Sequence, residues 1–173
     1  VEEGGALDRE AYERGTSVYF PERAVHMFPP ELATGLCSLN PHVDRLVQSC
    51  LMEIDRQGTV VRQEFHDGVI NSNERMTYTS VDAILTHRDD AAVSRYRELV
   101  PMFELMRELF EVLNARRRRR GSIDFDLPEA QVILSEEGQI AAIVASERTV
   151  AHRLIEEFML LANETVAAHL VVL

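Results

Sequence analysis

His152, Glu156 and Asn163 fall in one row on a helix, at i, i+4 and i+11, when successive residues turn by about 100°. An imidazole, a carboxylate and an amide in line are groups that hydrogen-bond a polar ligand. The helix that must position them runs from Thr149 to about residue 170. Its apolar arc is Leu154, Ile155, Phe158, Leu161, Ala162 and Val166, and the row borders that arc. Arg153, Glu157 and Glu164 form a separate, outer polar row. An amphipathic helix needs only one polar face, so a second row leaves residues over for a ligand. Taken alone, the helix is equally served by solvation and an Arg153–Glu157 pair at i,i+4, and that plainer reading is the better one for the helix in isolation.

Other residue sets offer less. Asp124 and Asp126 sit on an expected strand, Ile123–Asp126, where alternate side chains share a face. Such a pair is either a metal-binding edge or, more ordinarily, a solvated one. Arg116–Arg120 precede Gly121. Cations at a helix C-terminus complement its dipole and a glycine caps it; the other use is a phosphate-contacting patch. Five consecutive residues point all round a helix, which favours the first use. The histidines 26, 42, 66, 87, 152 and 169 lack zinc-ligand spacing. Ser17 and Cys37 lack a motif that would make them nucleophiles. Cys37 and Cys50 form no Cys-x-x-Cys pair and read as reduced, buried thiols of the cytoplasm.

The charge balance is acidic, net −11, and every basic residue is arginine. On charge alone this argues against a nucleic-acid binder, since backbone contact needs positive surface. The length suits one domain, and 46% hydrophobic residues support a sizeable core. No apolar run approaches the ~18 residues of a membrane span, and no apolar signal region opens the chain.

The elements expected from patterning are α+β. A short helix near Asp8–Arg14 stops at Gly15. An irregular, proline- and glycine-rich segment follows to about residue 45, with an extended piece at Ser17–Phe20. In that piece neighbouring rings face opposite ways, so Tyr19 projects into a channel while Phe20 enters the core. Leu46–Ile54 and Thr59–Ser72 form a hairpin around Asp55–Gly58, and Thr79–His87 a helix. Apolar residues at helical spacing run from Ala91 to Arg120, broken where Pro101 must lie in the first turn of the longer helix. Gln131–Leu134 and Gln139–Ala145 are short strands joined by a turn.

Three stretches together carry a resemblance. The first is Leu7-Asp-Arg9-Glu-Ala-Tyr-Glu-Arg14-Gly15-Thr-Ser17-Val-Tyr19-Phe-Pro21, with Met27-Phe-Pro-Pro-Glu-Leu32 and Gly35-Leu-Cys37-Ser-Leu-Asn40-Pro41 behind it. The second is Arg120-Gly-Ser-Ile-Asp124-Phe125-Asp126-Leu-Pro128-Glu129. The third is Ala151-His-Arg-Leu-Ile-Glu-Glu-Phe-Met-Leu-Leu-Ala-Asn163. In this order and spacing they resemble the catalytic RNB domain of the ribonuclease II / ribonuclease R family, the ribonuclease R branch more closely, through essentially the whole chain. The resemblance implies a processive 3′→5′ exoribonuclease that hydrolyses single-stranded RNA to nucleoside 5′-monophosphates with Mg²⁺. It implies that Tyr19 packs on the RNA near the cleaved bond and that Phe125 stacks the terminal base from the other side. It implies further that Tyr78 contributes to selecting RNA over DNA and that Glu156 contacts the terminal ribose. The structural alternatives are core rings for the three aromatics and an exposed carboxylate for Glu156.

One departure is large. The family's metal-binding aspartates, Asp-x5-Asp-x-Asp-Asp, lie ahead of the first stretch, and no such cluster precedes it here; the downstream catalytic arginine and OB-type region are also missing. Residues 1–173 therefore read as the central part of one RNB-type domain, inactive alone, whose partners are single-stranded RNA and the remaining segments of the same enzyme. No catalytic or metal-ligating residue is assigned within it. The competing expectation is a non-catalytic RNA-binding or scaffolding module that kept the fold and lost the aspartates.

Overall fold

A computed structural model of the protein describes residues 1–123, 130–135, 138–145 and 147–172. The expectations placed on Asp124, Phe125 and Asp126 lie outside those residues. The architecture is α+β, as expected: helices with three two-stranded antiparallel ribbons. The chain forms two compact units, Val1–Val47 with Gly68–Arg75 and Pro128–Ser146, and Gln48–Asp67 with Met76–Leu127 and Glu147–Leu173.

The first unit begins with α1 (Ala6–Arg14), ended by Gly15 in the left-handed conformation at φ 67°, where a side chain would be strained. Strands β1 (Val18–Tyr19) and β2 (Ala24–Val25) pair antiparallel, Val18 opposite Val25 and Tyr19 opposite Ala24. Ser17 is used structurally: its Oγ accepts from the Met27 N–H at 3.0 Å. A wide helical turn of π type spans Glu31–Leu36. Strands β5 (Ala130–Leu134) and β6 (Ile140–Ala145) form the second ribbon, with an irregularity between Ile133 and Leu134.

The hairpin of β3 (Asp44–Ile54) and β4 (Val60–Asn71) has its open end in the first unit and its turn in the second. Asp55 builds the turn: its Oδ1 accepts from the N–H groups of Gln57 and Thr59 at 2.9 and 2.8 Å. Gly58 follows at φ 83°. A Cβ there would meet Val112 Cγ1 at 3.2 Å and Arg116 Cδ at 3.3 Å, so the turn lies against the long helix of this unit.

The second unit is organised by helices. In α2 (Tyr78–Leu85) the Thr77 side chain accepts from the Ser80 N–H, a cap worth about 1 kcal/mol. Asp89 caps α3 (Asp90–Arg95) in the same way. The break expected before the longer helix is present: α4 spans Val100–Arg119 with Pro101 in its first turn. It ends as a Schellman turn, Gly121 N–H to Arg118 O and Ser122 N–H to Arg117 O, with Gly121 at φ 82°. Helix α5 covers Val150–Val172. The core is Ile84 and Leu85 from α2, Phe103 and Phe110 from α4, and Leu154 from α5.

Three expectations are corrected. The buried face of α5 runs through Ala151, Leu154, Glu157, Leu161 and Thr165; it keeps Leu154 and Leu161 of the expected arc, with Ile155 and Phe158 packed partly buried beside them, but takes in Glu157 and Thr165 and leaves Val166 exposed. Thr165 is tolerated there because its hydroxyl donates to Leu161 O at 2.8 Å. Phe20 is not a core ring: it is 54% exposed and lines a groove with Val132, Leu134 and Ile140. A two-residue strand leaves it no opposing sheet to enter. Cys37 is an exposed thiol and Cys50 a half-buried one, both free, because Cys37 follows the π-type turn at the surface.

Candidate functional site

Helix α5 carries two polar rows, and they do different work. The outer row packs on α4. Glu157, 4% exposed, accepts at Oε1 from Asn114 Nδ2 at 2.9 Å and from Arg117 Nε at 2.6 Å. One turn earlier the Arg153 guanidinium lies over the Phe110 ring, 5.5 Å from its centroid. Two turns later Arg120 grips Glu164 with both terminal nitrogens, at 2.8 and 3.2 Å. The hydrogen bond from Arg120, with its charge and that of Arg116 behind it, holds the Glu164 carboxyl below the usual carboxylate range. The outer row is therefore a helix–helix seam rather than a solvated face. The arginine run does more than complement the helix dipole: Arg117 and Arg120 pair with α5, and Arg119 donates to Gln57 O.

The other row carries the candidate site. The Tyr78 ring, on the first residue of α2, stacks on the His152 ring with centroids 3.9 Å apart and planes 23° from parallel. His152 is fixed in turn. Its Nδ1 accepts from the Thr149 N–H at 3.3 Å and lies 2.9 Å from the Thr149 hydroxyl, which leaves the ring proton on Nε2. One turn on, Glu156 is clamped by Arg148: Nε reaches both carboxylate oxygens at 3.1 Å, and Nη2 bonds Oε2. Asn163 lies exposed two turns beyond. Tyr78 is 46% exposed, and among the described residues its hydroxyl has no hydrogen-bond partner. This face thus offers a half-exposed ring with a free hydroxyl and a held carboxylate, a pairing suited to a sugar's face and its hydroxyls.

The structure brings Tyr78 and the helix of Glu156 into contact through His152. Tyr19 belongs to the first unit, on β1, with its ring 77% exposed. Tyr19 is not a core ring; Glu156 keeps much of the exposure of its plain alternative but is paired with Arg148. Arg148 and Thr149 escaped the sequence reading. Thr149-x-x-His152 had a signal, the spacing of a capping box with histidine in place of the usual acidic or amide residue. Arg148 to Glu156 spans eight residues, outside any helical spacing rule, and left none.

Among the described residues no group of three or more histidines, cysteines, aspartates or glutamates is placed to hold a metal ion. No helix among them is long and apolar enough to cross a membrane.

The family model of the RNB domain matches residues 1–172. The chain belongs to the RNB family. Among its relatives, Ribonuclease R 1 of Lactococcus lactis is 47% identical over 169 residues, covering 98% of this chain and 21% of the relative. A solved structure of Mycoplasma genitalium RNase R in complex with ribose methylated single-stranded RNA superposes with a TM-score of 0.85 at 30% identity, over 99% of this chain and 26% of that one. The same enzyme in complex with double-stranded RNA gives 0.86 at 30% identity, over 99% and 30%. This RNB chain thus spans between a fifth and a third of the proteins it matches.

Proposed function

We propose that this RNB chain is the RNA-gripping part of an exoribonuclease that works processively from the 3′ end of single-stranded RNA and releases nucleoside 5′-monophosphates. The observation that carries the reading is the Tyr78–His152 and Glu156 face, set within an RNB match that runs through the chain. Stacking on aromatic rings grips bases without sequence preference, the role assigned to the exposed Tyr19 and to Phe125. A hydrogen bond to the 2′-hydroxyl separates RNA from DNA, the role assigned to Tyr78 and Glu156. Oriented by the Arg148 guanidinium, the Glu156 carboxylate is a fixed acceptor for a ribose hydroxyl. The RNA complexes of Mycoplasma genitalium RNase R support RNA as the ligand. Mg²⁺, which in enzymes of this type activates water and stabilises the leaving oxygen, is assigned to residues outside this chain. A cytoplasmic location goes with this reading.

The test uses the intact protein and a 5′-labelled single-stranded RNA with Mg²⁺. Expected is conversion to a short end product without intermediates, blocked by chelation, together with nucleoside 5′-monophosphates. This chain by itself should leave the RNA intact. An intact protein that binds the RNA and never shortens it would instead establish a non-catalytic RNA-binding module.

A further inference from the structure

We propose that His152 is a positioning residue for Tyr78, setting the plane of that ring and through it the preference for ribose over deoxyribose. The inference rests on the exoribonuclease reading of this face and adds to it a residue that acts through Tyr78. Tyr78 is the first residue of α2, where a half-exposed ring has little else to hold it. Its stacking partner is His152, at a centroid distance and angle that suit an offset stack. The imidazole is an unusual platform because it is itself locked: Nδ1 is engaged by both the N–H and the hydroxyl of Thr149. A side chain in the first turn of a helix is thereby converted into a fixed plane. The hydroxyl of Tyr78 is left open toward a ligand, and the carboxylate of Glu156 sits one turn along the same helix as His152. Ring and carboxylate so share one rigid frame, and a site held in advance recognises its ligand without having to order it first.

A merely structural role for His152 predicts lost stability. A positioning role predicts lost discrimination, which the folded fraction cannot change. The experiment measures kcat/KM of the intact protein for an RNA oligomer and for the same oligomer with 2′-deoxyribose at its last nucleotides. It compares the parent with His152→Phe, His152→Leu and Tyr78→Ala. Phenylalanine keeps a ring to stack on; leucine keeps bulk without one. Expected is a fall in the RNA-to-deoxy ratio of about 2- to 12-fold for His152→Leu, the ~0.5–1.5 kcal/mol of an aromatic pair converted at 1.4 kcal/mol per tenfold. His152→Phe keeps the stacking face and gives up the Thr149 hydrogen bonds, so its ratio should lie between those of the parent and His152→Leu, and Tyr78→Ala should fall at least as far as His152→Leu. If Tyr78→Ala lowers the ratio while both His152 variants match the parent, the positioning role is wrong and the ribose reading stands. If His152→Phe falls as far as His152→Leu, ring stacking is not the means and the proposal is overturned. If Tyr78→Ala leaves the ratio unchanged, the ribose reading of this face fails and takes the proposal with it.

Discussion

Replacing Glu157 by alanine removes a buried charge from between two helices. Its carboxylate is almost wholly buried, and the Arg117 side chain that bonds it is 16% exposed. At 2.6 Å and an effective dielectric of ~20 the gross attraction is about 6 kcal/mol. Desolvating each ion costs several kcal/mol, so the intact pair is worth little net. Removing one partner is another matter, because the guanidinium and the Asn114 amide stay in place with their acceptor gone. That loss costs about 3–5 kcal/mol, toward the lower end here because Arg117 also reaches the Ser122 hydroxyl. Glu157→Gln keeps an acceptor for Asn114 and loses the charge, costing about 1–2 kcal/mol, the difference between charged and neutral hydrogen bonds. Urea denaturation followed by circular dichroism measures both. A double-mutant cycle with Arg117→Ala should give a coupling of about 1–3 kcal/mol. A Glu157→Ala cost below about 1 kcal/mol, with no coupling to Arg117, would refute the view that this pair organises the packing of α4 on α5.

Three further outcomes are expected. Tyr19→Ala in the intact protein should weaken binding of short single-stranded RNA by about 1–3 kcal/mol with an unchanged melting temperature, since the ring is exposed; a lower melting temperature with parental affinity would contradict this. Gly58→Ala should destabilise by more than about 1 kcal/mol in urea denaturation, because it adds a Cβ at positive φ against Val112 and Arg116. Glu164→Gln tests the Arg120 pair: the folded carboxyl is depressed, so its contribution is complete above the ordinary carboxylate range and is lost as pH falls through the folded value. The pair is nearly half exposed, so the parent should exceed the variant by less than about 1 kcal/mol at neutral pH, and the gap should close as pH falls below the ordinary carboxylate range.

Periodicity and punctuation made the second unit largely readable from sequence. Pro101 placed the start of α4, Gly121 its end and Gly58 the hairpin turn, because each residue type restricts its own backbone wherever the chain goes. The direction in which α5 faces was not readable that way. Its apolar and buried residues overlap at Leu154 and Leu161 but do not coincide, since Glu157 is buried through partners on α4 that no local pattern announces. Phe20 failed for a related reason: alternation predicts two faces of a strand, but not whether anything covers either one. At the site, the resemblance implied Tyr78 and Glu156, and the helix wheel set His152 in the row of Glu156; that His152 stacks on Tyr78 emerges only once α2 and α5 are brought together, and that Arg148 holds Glu156 follows from no local pattern.

The order of these elements along the chain has a consequence in time. Leu154 closes a cluster whose other members, Ile84, Leu85, Phe103 and Phe110, all precede it, and the seam partners of α5 lie 40, 43 and 44 residues upstream. During synthesis at about 5–20 residues per second, α2 and α4 emerge with their apolar sides open for several seconds before α5 exists to cover them. The nascent chain is then a natural client for anything that binds exposed apolar surface. A ribosome paused before residue 150 would prolong that window, whereas one paused after the helix has emerged would not.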